Sequence, residues 1–224
     1  MKEVIDYPPK KVKVLSNQGL DRNNDYWNYF YKSDISKSLI GHSKFSEFAL
    51  MAMKKILYAD RMGKNITLLD IGCGNGRDLY YLRENGIDAH GIDLNSCDNS
   101  LYITHENALN ISETYDVYYL RFFVHTLWES QLDELLDNIS NLMHKESYIF
   151  IETRSSKGIT DTEKSETNFR SKIGEEHFRM LYSIDYLSDK IKKNFNINFS
   201  TEDKGLAPFR GEDPYVIRMI LSKR

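Results

Sequence analysis

Hydrophobic positions along the chain follow two spacings, and each spacing predicts one kind of element. Between Lys44 and Leu57, apolar side chains recur at the spacing of one face of an amphipathic helix. From Ile66 onward, short apolar runs alternate with amphipathic segments, which predicts a parallel sheet with helices on both faces. The predicted strands are Ile66–Ile71, Ala89–Ile92, Leu101–His105, Val117–Leu120 and Tyr148–Ile151, and the predicted helices between them are Arg77–Asn85 and Glu129–Met143.

The end of the chain has a different pattern. Ser183–Phe195 predicts a further helix, and Ile197–Thr201 and Tyr215–Leu221 predict two strands. About a dozen residues separate these strands, too few for a helical crossover, so we expect them to pair antiparallel. The expected fold class is therefore α/β, a mostly parallel sheet that ends in an antiparallel hairpin and is preceded by N-terminal helices.

The length of the chain indicates a single domain. We expect residues 1–64 to form an N-terminal helical cap and residues 65–224 to form the α/β core. Residues 155–182 lack clear periodicity, and because loops of that length are typically functional, we expect a substrate loop there. The aromatic segment Asp25–Ser33 has two interpretations, packing in the core or a lid over a ligand, and core packing is slightly favoured.

Composition and charge exclude several kinds of partner. Hydrophobic residues make up 41% of the chain and charged residues 28%, which is typical of a folded protein. The net charge of −3 gives no overall attraction to nucleic acid or to an anionic membrane. No apolar run approaches the roughly 18 residues of a membrane helix, and the two cysteines fit neither a disulfide framework nor a zinc site. We expect a cytoplasmic protein with no metal.

The segment Leu68–Asp78, LLDIGCGNGRD, carries the candidate chemistry. An apolar strand runs into three alternating glycines and then a helix, so a ligand can approach the backbone and the positive end of the helix. The glycine spacing differs from the dinucleotide fingerprint, and Asp70 precedes Gly72 by two residues. A carboxylate there suits a cationic ligand such as S-adenosylmethionine, whose own carboxylate would meet the amides of the loop.

A second acid fits the same ligand. Asp93 ends the next predicted strand, 21 residues after Gly72, where a carboxylate can accept both hydroxyls of a ribose. With these motifs, the chain resembles the class I S-adenosylmethionine-dependent methyltransferases over roughly residues 67–221. The resemblance implies a Rossmann-like, doubly wound sheet of seven strands. Together, the motifs and the resemblance predict S-adenosylmethionine as the cofactor, with contacts at Asp70, Gly72, Gly74, Gly76, Asp93, Leu94, Asn107 and Ala108.

Polar residues after the fourth and fifth strands are candidates for the acceptor site, because open α/β sheets bind ligands at these strand ends. Arg121 is interpreted either as a clamp for an anion or as part of a structural salt bridge. His125 is interpreted either as a general base or as a cap of the following helix. Further substrate-binding candidates are Arg154, His177, Arg179 and Arg210. These residues predict a small anionic or sugar-linked acceptor.

Three stretches are also similar to small methyltransferases of bacterial capsule and surface-polysaccharide gene clusters: YWNYFY at 26–31, YYLRFFVHTL at 118–127, and residues 154–214. This similarity implies O-methylation of a sugar hydroxyl, a phosphate or a phosphoramidate-type group. The Asn/Asp-Pro-Pro-aromatic motif of nucleic-acid base methyltransferases is absent after the fourth strand, which disfavours base methylation. The alternatives are an inactive cofactor-binding subunit, a methyltransferase of an unrelated metabolite, and a dinucleotide oxidoreductase, which the glycine spacing opposes. The sequence leaves the oligomeric state open.

Overall fold

The strands and helices follow one another largely in the predicted order. The computed structural model describes residues 26–28, 30–31, 41–57, 65–95, 100–158, 164–170, 176–209 and 211–224. The strands are β1 Thr67–Ile71, β2 Asp88–Ile92, β3 Ile103–Thr104, β4 Val117–Arg121, β5 Tyr148–Arg154, β6 Lys164–Arg170, β7 Glu176–Tyr182, β8 Phe195–Asp203 and β9 Val216–Lys223. The α-helices are α1 Lys44–Ile56, α2 Arg77–Glu84, α3 Glu129–Leu142 and α4 Ile184–Ile191, and short 3-10 helices lie at Ala108–Asn110 and Val124–Thr126.

One sheet of seven strands, in the order β3-β2-β1-β4-β5-β9-β8, forms the centre of the fold. The pairs among β1 to β5 are parallel, whereas β9 runs antiparallel between β5 and β8. The predicted Rossmann-like sheet with antiparallel C-terminal strands is therefore confirmed. Because the strand order reverses between β1 and β4, the carboxyl ends of these two strands border a crevice of the kind that binds ligands.

Helices cover both faces of the sheet, because successive side chains of a strand point to opposite faces. On β4, Tyr118 packs into the apolar cluster that includes α3 and α4, whereas Tyr119 packs into the cluster that includes α1 and α2. Both rings are fully buried. The core therefore consists of two layers, one on each side of the sheet.

A polar contact holds α1 against α2. Ser43 caps α1 by accepting the N–H of Ser46 at its Oγ. The N–H and the Oγ–H of Ser43 both donate to the carboxylate of Asp78 on α2, each at 2.7 Å. Since Asp78 is buried, these bonds replace the water that the carboxylate has lost. They position the N-terminal helix beside the start of α2.

Residues 155–182 were predicted to be a loop without regular structure. Their described part contains an antiparallel ribbon of β6 and β7 instead. The sequence of β6, KSETNFR, has too few apolar residues to indicate a strand, so pairing with β7 decides its conformation. On β7, the buried ring of Phe178 stacks on Trp128 with 4.0 Å between the ring centroids. This contact anchors the ribbon next to the 3-10 helix Val124–Thr126, which follows β4.

Two predicted boundaries were also wrong. β3 comprises only Ile103 and Thr104, because it is the edge strand of the sheet and the neighbouring Leu101 is 96% exposed. α4 ends at Ile191, and Phe195, which was expected in that helix, begins β8. A buried apolar residue fits the end of a helix and the start of a strand equally well, so the apolar character of Phe195 could not distinguish the two. Among the described helices, none combines the length and the apolar composition that crossing a membrane requires.

Candidate active site

The glycine loop joins β1 to α2 at the edge of the crevice. Gly72, Gly74 and Gly76 have φ angles of 73°, 58° and 70°, in the left-handed region that glycine adopts without strain. The N–H groups of Gly72 and Cys73 donate to the carbonyl of Ile92, and the N–H of Gly76 donates to the carbonyl of Cys73. These three amides are therefore engaged inside the protein, and the contact of a ligand carboxylate with other amides of the loop and of the start of α2 stays a prediction.

Two aromatic side chains lie directly on the glycines. A Cβ added to Gly74 would overlap the hydroxyl of Tyr31, and a Cβ added to Gly72 would overlap the ring of Phe123. The loop thus needs glycine for contact as well as for its φ angles. Tyr31 belongs to the segment Asp25–Ser33, of which residues 26–28, 30 and 31 are described. This segment reaches the loop, and its closure over a ligand stays a prediction.

Asp93, predicted to bind a ribose, lies beside the loop at the end of β2. Its Oδ2 accepts the N–H of Gly74 at 2.9 Å, and its Oδ1 accepts the N–H of Asn95 at 2.7 Å. Burial raises the pKa of the Asp93 carboxyl, although these hydrogen bonds oppose the shift. Each oxygen keeps a second lone pair with which it can accept from a diol. Leu94, which follows Asp93, is 52% exposed.

Asp70 lies two residues before the loop, and its side chain is buried in β1. Burial raises the pKa of the Asp70 carboxyl well above its usual range, Asp78 and Asp93 raise it further, and Arg121 opposes them. The Asp70 carboxyl of the free protein therefore keeps its proton to a higher pH than an exposed aspartic acid does. A bound cation would favour the carboxylate instead, so Asp70 fits the cationic end of the predicted ligand through a change of protonation.

Asn107 and Ala108 lie where the chain leaves β3. The Oδ1 of Asn107 accepts the N–H of Leu109 at 3.0 Å and so caps the 3-10 helix that follows. Ala108 is buried in the core. The amide oxygen of Asn107 has a second lone pair, and the predicted contact with adenine stays a prediction.

Arg121, at the carboxyl end of β4, belongs to a buried group of charges. Its Nε donates to Glu152 at 3.0 Å and lies 3.7 Å from a carboxylate oxygen of Asp78. Glu152 also accepts from the Nε of Arg218 at 2.8 Å. Burial would lower the pKa of Arg121, but Asp78 and Glu152 raise it above the usual value. This geometry matches the salt-bridge interpretation of Arg121, and its role as a clamp for an anion stays a prediction.

His125 lies in the 3-10 helix after β4 and is 1% exposed. Its Nδ1 lies 3.0 Å from the Oγ1 of Thr153 and accepts the N–H of Arg154 at 3.4 Å. Because a backbone N–H can only donate, Nδ1 is unprotonated in this arrangement. The ring connects the ends of β4 and β5, and a role as general base, which would require Nε2, stays a prediction.

The other cationic candidates have different positions. Arg154 ends β5, with its Nη2 3.4 Å from Glu212 and its Nε buried without a hydrogen-bond partner among the described residues. Arg179 lies on β7 between the buried residues Phe178 and Met180, so its side chain is on the face of the ribbon opposite to theirs. The side chain of His177 and the whole of Arg210 lie outside the described residues.

The sequence analysis missed two features of the site. Phe122, directly after β4, has a φ of 53°, and every other described residue with a positive φ is a glycine. Such backbone strain is concentrated at functional sites, and here it precedes the ring that covers Gly72. Glu152 was also missed, although a lone carboxylate in the apolar strand sequence YIFIETR is a signal for a buried charged partner.

The crevice fits an adenosyl-sulfonium cofactor in this structure. The glycines let the backbone turn sharply between β1 and α2 with Phe123 and Tyr31 packed on it, Asp93 presents a carboxylate beside the loop, and Asp70 supplies a second acid. Within the described ranges, no three His, Cys, Asp or Glu side chains come together as a metal site would require.

Solved structures with this fold include several methyltransferases. The 1,6-didemethyltoxoflavin-N1-methyltransferase of Burkholderia thailandensis, crystallised with 1,6-didemethyltoxoflavin and S-adenosylhomocysteine, matches with a TM-score of 0.70 and 14% identity, over 99% of this chain and 98% of its own. An S-adenosylmethionine-dependent methyltransferase of Clostridium acetobutylicum matches with a TM-score of 0.59 and 13% identity, over 89% and 98%. The glycopeptide N-methyltransferase MtfA, crystallised with S-adenosylmethionine, matches with a TM-score of 0.58 and 10% identity, over 83% and 96%.

The amino-acid sequence also matches a methyltransferase family, independently of these structures. Residues 46–194 match the methyltransferase domain family, a stretch that begins within α1 and ends after α4. Comparison with curated proteins gives no match. The family match covers more than half of the chain and includes the whole glycine loop. This protein therefore belongs to the class I S-adenosylmethionine-dependent methyltransferases.

Proposed function

We propose that this enzyme transfers a methyl group to an oxygen of a small anionic acceptor, bound where β4 and β5 end. The buried Nε of Arg154 carries the proposal, because it has no hydrogen-bond partner among the described residues. An unsatisfied buried donor costs about 1–3 kcal/mol, and more when the group is charged. An acceptor with an anionic group would offset that cost by pairing with the guanidinium.

The glycine loop and the two acids are the cofactor contacts in this proposal. When bound, S-adenosylmethionine supplies an electrophilic methyl group on its sulfonium. Gly72, Gly74 and Gly76 are proposed to border its methionine end, Asp93 to accept from the ribose hydroxyls, and Asp70 to pair with the ammonium group. Leu94, Asn107 and Ala108 are proposed to border the adenine.

Methyl transfer depends mainly on alignment, because the acceptor must approach the methyl group in line with the bond that breaks. Arg154 and Arg121 would orient an anionic acceptor from the ends of neighbouring strands. An oxyanion is already nucleophilic, whereas a hydroxyl acceptor gains from a base. His125 is the proposed base for a hydroxyl, acting through Nε2. His177, Arg179 and Arg210 remain proposed contacts of the acceptor.

Sugar-linked and phosphate-linked oxygens are the first acceptor classes to test, in line with the resemblance to surface-polysaccharide methyltransferases. The cytoplasmic setting suggested by the cysteine pattern suits such a biosynthetic enzyme. A second candidate is N-methylation of a planar heterocycle, which is the reaction named for the Burkholderia relative. The rings of Phe122 and Phe123 favour it, because they are partly exposed at the end of β4 and offer flat apolar surfaces.

An acceptor panel separates these functions. The enzyme would be incubated with S-adenosylmethionine and with uronic acids, sugar phosphates, neutral sugars or planar heterocycles, and the S-adenosylhomocysteine formed would be quantified by mass spectrometry. We expect turnover with the anionic sugars. Arg154→Gln should raise KM for them by about tenfold or more, since a charged hydrogen bond is lost, without changing the affinity for S-adenosylhomocysteine.

The matched control is Lys157→Gln, which removes an exposed positive charge three residues further along the chain. Its KM should stay close to that of the wild type. Equal kcat/KM for neutral and anionic sugars, with Arg154→Gln unaffected, would contradict the anionic acceptor. Turnover of the heterocycles alone would favour the second candidate, and cofactor binding without any turnover would indicate an inactive subunit.

A further inference from the structure

Glu212 and Arg154 form an ion pair beside the proposed acceptor site. Arg154 ends β5, and Glu212 belongs to the turn that joins β8 to β9. The Nη2 of Arg154 lies 3.4 Å from a carboxylate oxygen of Glu212. Among the described residues, Glu212 is the only hydrogen-bond or ion-pair partner of this guanidinium. A carboxylate of the chain itself therefore contacts the arginine that is proposed to bind an anionic acceptor.

The contact uses half of one edge of the Arg154 guanidinium. Nε and Nη2 share the edge with which an arginine binds a carboxylate or a phosphate through two parallel hydrogen bonds. On this edge of Arg154, Nη2 has the long contact with Glu212, and the buried Nε has no hydrogen-bond partner within the described ranges. Arg218 uses the same edge fully, because its Nε and its Nη2 both lie 2.8 Å from a carboxylate oxygen of Glu152. The pairing of Arg154 is thus incomplete, whereas that of Arg218 is not.

Backbone hydrogen bonds hold the turn independently of the Glu212 carboxylate. The N–H of Phe209 donates to the carbonyl of Glu212 and the N–H of Glu212 donates to the carbonyl of Phe209, both at 2.9 Å. The N–H of Gly205 donates to the carboxylate of Asp213 at 2.6 Å. Because none of these bonds involves the side chain of Glu212, that side chain can rotate away from Arg154 while the turn keeps its backbone structure.

The two side chains of the pair differ in exposure. Glu212 has 32% side-chain exposure and Arg154 has 18%, and the Nε of Arg154 is buried. Because Glu212 contacts the same edge, its carboxylate must move before a ligand can use both nitrogens. A partly exposed pair with a single long contact contributes little to stability, so a ligand that binds Nε and Nη2 together can replace it.

We propose that Glu212 occupies the acceptor-binding edge of Arg154 in the free enzyme, and that an acceptor of carboxylate or phosphate type displaces it. The inference rests on the proposed function and adds a residue to its acceptor site. A neutral molecule cannot replace the carboxylate, because Arg154 and Glu212 would both lose their counter-charge. An anionic group can, since it restores the charge on Arg154 and also satisfies the buried Nε. The pair therefore favours ligands of the charge type that it releases.

The test is isothermal titration calorimetry of the full chain saturated with S-adenosylhomocysteine, with inorganic phosphate and acetate as the two anionic probes. Glu212→Gln should bind the preferred probe about threefold to fivefold more tightly than the wild type, because no ion pair has to break. Arg154→Gln should bind it about tenfold more weakly. In the Arg154→Gln background, Glu212→Gln should have no further effect, since its partner is gone. With an anionic sugar as acceptor, Glu212→Gln should lower KM and leave kcat unchanged.

Two further variants separate the contact from a general effect of charge. Glu212→Asp keeps the negative charge but is too short to keep the 3.4 Å contact, so it should bind the probe more tightly than the wild type does. Asp213→Asn removes the neighbouring exposed charge, and its amide oxygen can still accept the N–H of Gly205. Its affinity for the probe should stay within about twofold of the wild type, because a solvated charge is screened.

The outcomes distinguish this inference from the proposed function. If the wild type and Glu212→Gln bind the probes equally while Arg154→Gln binds them more weakly, the role of Glu212 is overturned and the anionic acceptor is not. Equal gains in Glu212→Gln and Asp213→Asn would also overturn it. Tighter binding in Glu212→Gln and Glu212→Asp, without turnover of any anionic sugar, would support the role of Glu212 and contradict the proposed function. Probe binding by none of the variants would overturn both. The Glu212 variants test the inference even if Arg154→Gln does not fold.

Discussion

At the scale of single residues, the proposed cofactor site depends on glycines, which have no side chain. At Gly74, the position that a Cβ would occupy is taken by the hydroxyl of Tyr31, and the φ of 58° is unfavourable for other residues. The N–H of the same residue donates to Asp93, so a shift of the backbone would also disturb the carboxylate proposed to bind the ribose. One residue therefore affects the loop, the aromatic segment and the end of β2.

We expect Gly74→Ala to weaken S-adenosylhomocysteine binding about tenfold or more, because the new methyl group displaces either Tyr31 or the loop. Gly86→Ala is the matched control. Gly86 has a φ of 86°, so alanine is strained there too, but nothing lies within 4 Å of its added Cβ. Both variants should lose about 1 kcal/mol of stability from backbone strain, and only Gly74→Ala should lose ligand affinity. Calorimetry showing equal affinities for both variants would contradict the role of Gly74.

At the scale of elements, buried charges join the strands next to the crevice. Glu152 on β5 is fully buried and bonds to Arg121 on β4 and to Arg218 on β9. These bonds cross both the parallel and the antiparallel neighbours of β5. The strand ends that carry the proposed acceptor site are therefore held together by ion pairs as well as by backbone hydrogen bonds.

Glu152→Gln should lower the free energy of unfolding by about 3 kcal/mol, because it leaves the buried guanidinium of Arg218 without its carboxylate and leaves Arg121 with Asp78 alone. Urea unfolding at neutral pH measures this change. Glu212→Gln is the control, since its ion pair with Arg154 has a distance of 3.4 Å and Glu212 has 32% side-chain exposure. Breaking a pair of that kind should cost about 1 kcal/mol or less. Similar losses in the two variants would show that burial of the Glu152 pairs contributes little.

At the scale of the whole molecule, the buried acid Asp70 makes stability depend on pH. Its folded pKa is raised, so the native state holds a proton that the unfolded chain releases near pH 4. The stabilising contribution of the neutral acid is complete below the unfolded pKa and is lost as pH rises through the folded pKa.

Asp70→Asn removes this titration and keeps the shape of the side chain. We expect the Tm of the wild type to fall below that of the variant as pH rises from about 4 to about 8, and the two to converge at the acidic end. Asp88→Asn, at the start of β2, is the control and should parallel the wild type. A difference between Asp70→Asn and the wild type that does not change with pH would contradict a raised pKa at Asp70.

The sequence by itself determined the order of most strands and helices, the glycine loop and the acid after β2. These depend on neighbours in the chain, since periodicity and glycine spacing are local properties. The ribbon of β6 and β7 was missed, because its stability comes from pairing and from the stack of Phe178 on Trp128.

Only the tertiary structure decided which side chains contact one another. Arg121 and Glu152 are 31 residues apart in the chain, and the sequence could not tell whether Arg121 faces a carboxylate or a ligand. The contact of Tyr31 with Gly74 also depends on residues far apart in the chain that folding brings together. Sequence patterns record the burial of a position, whereas the identity of its neighbours follows from the packing of the sheet and its helices.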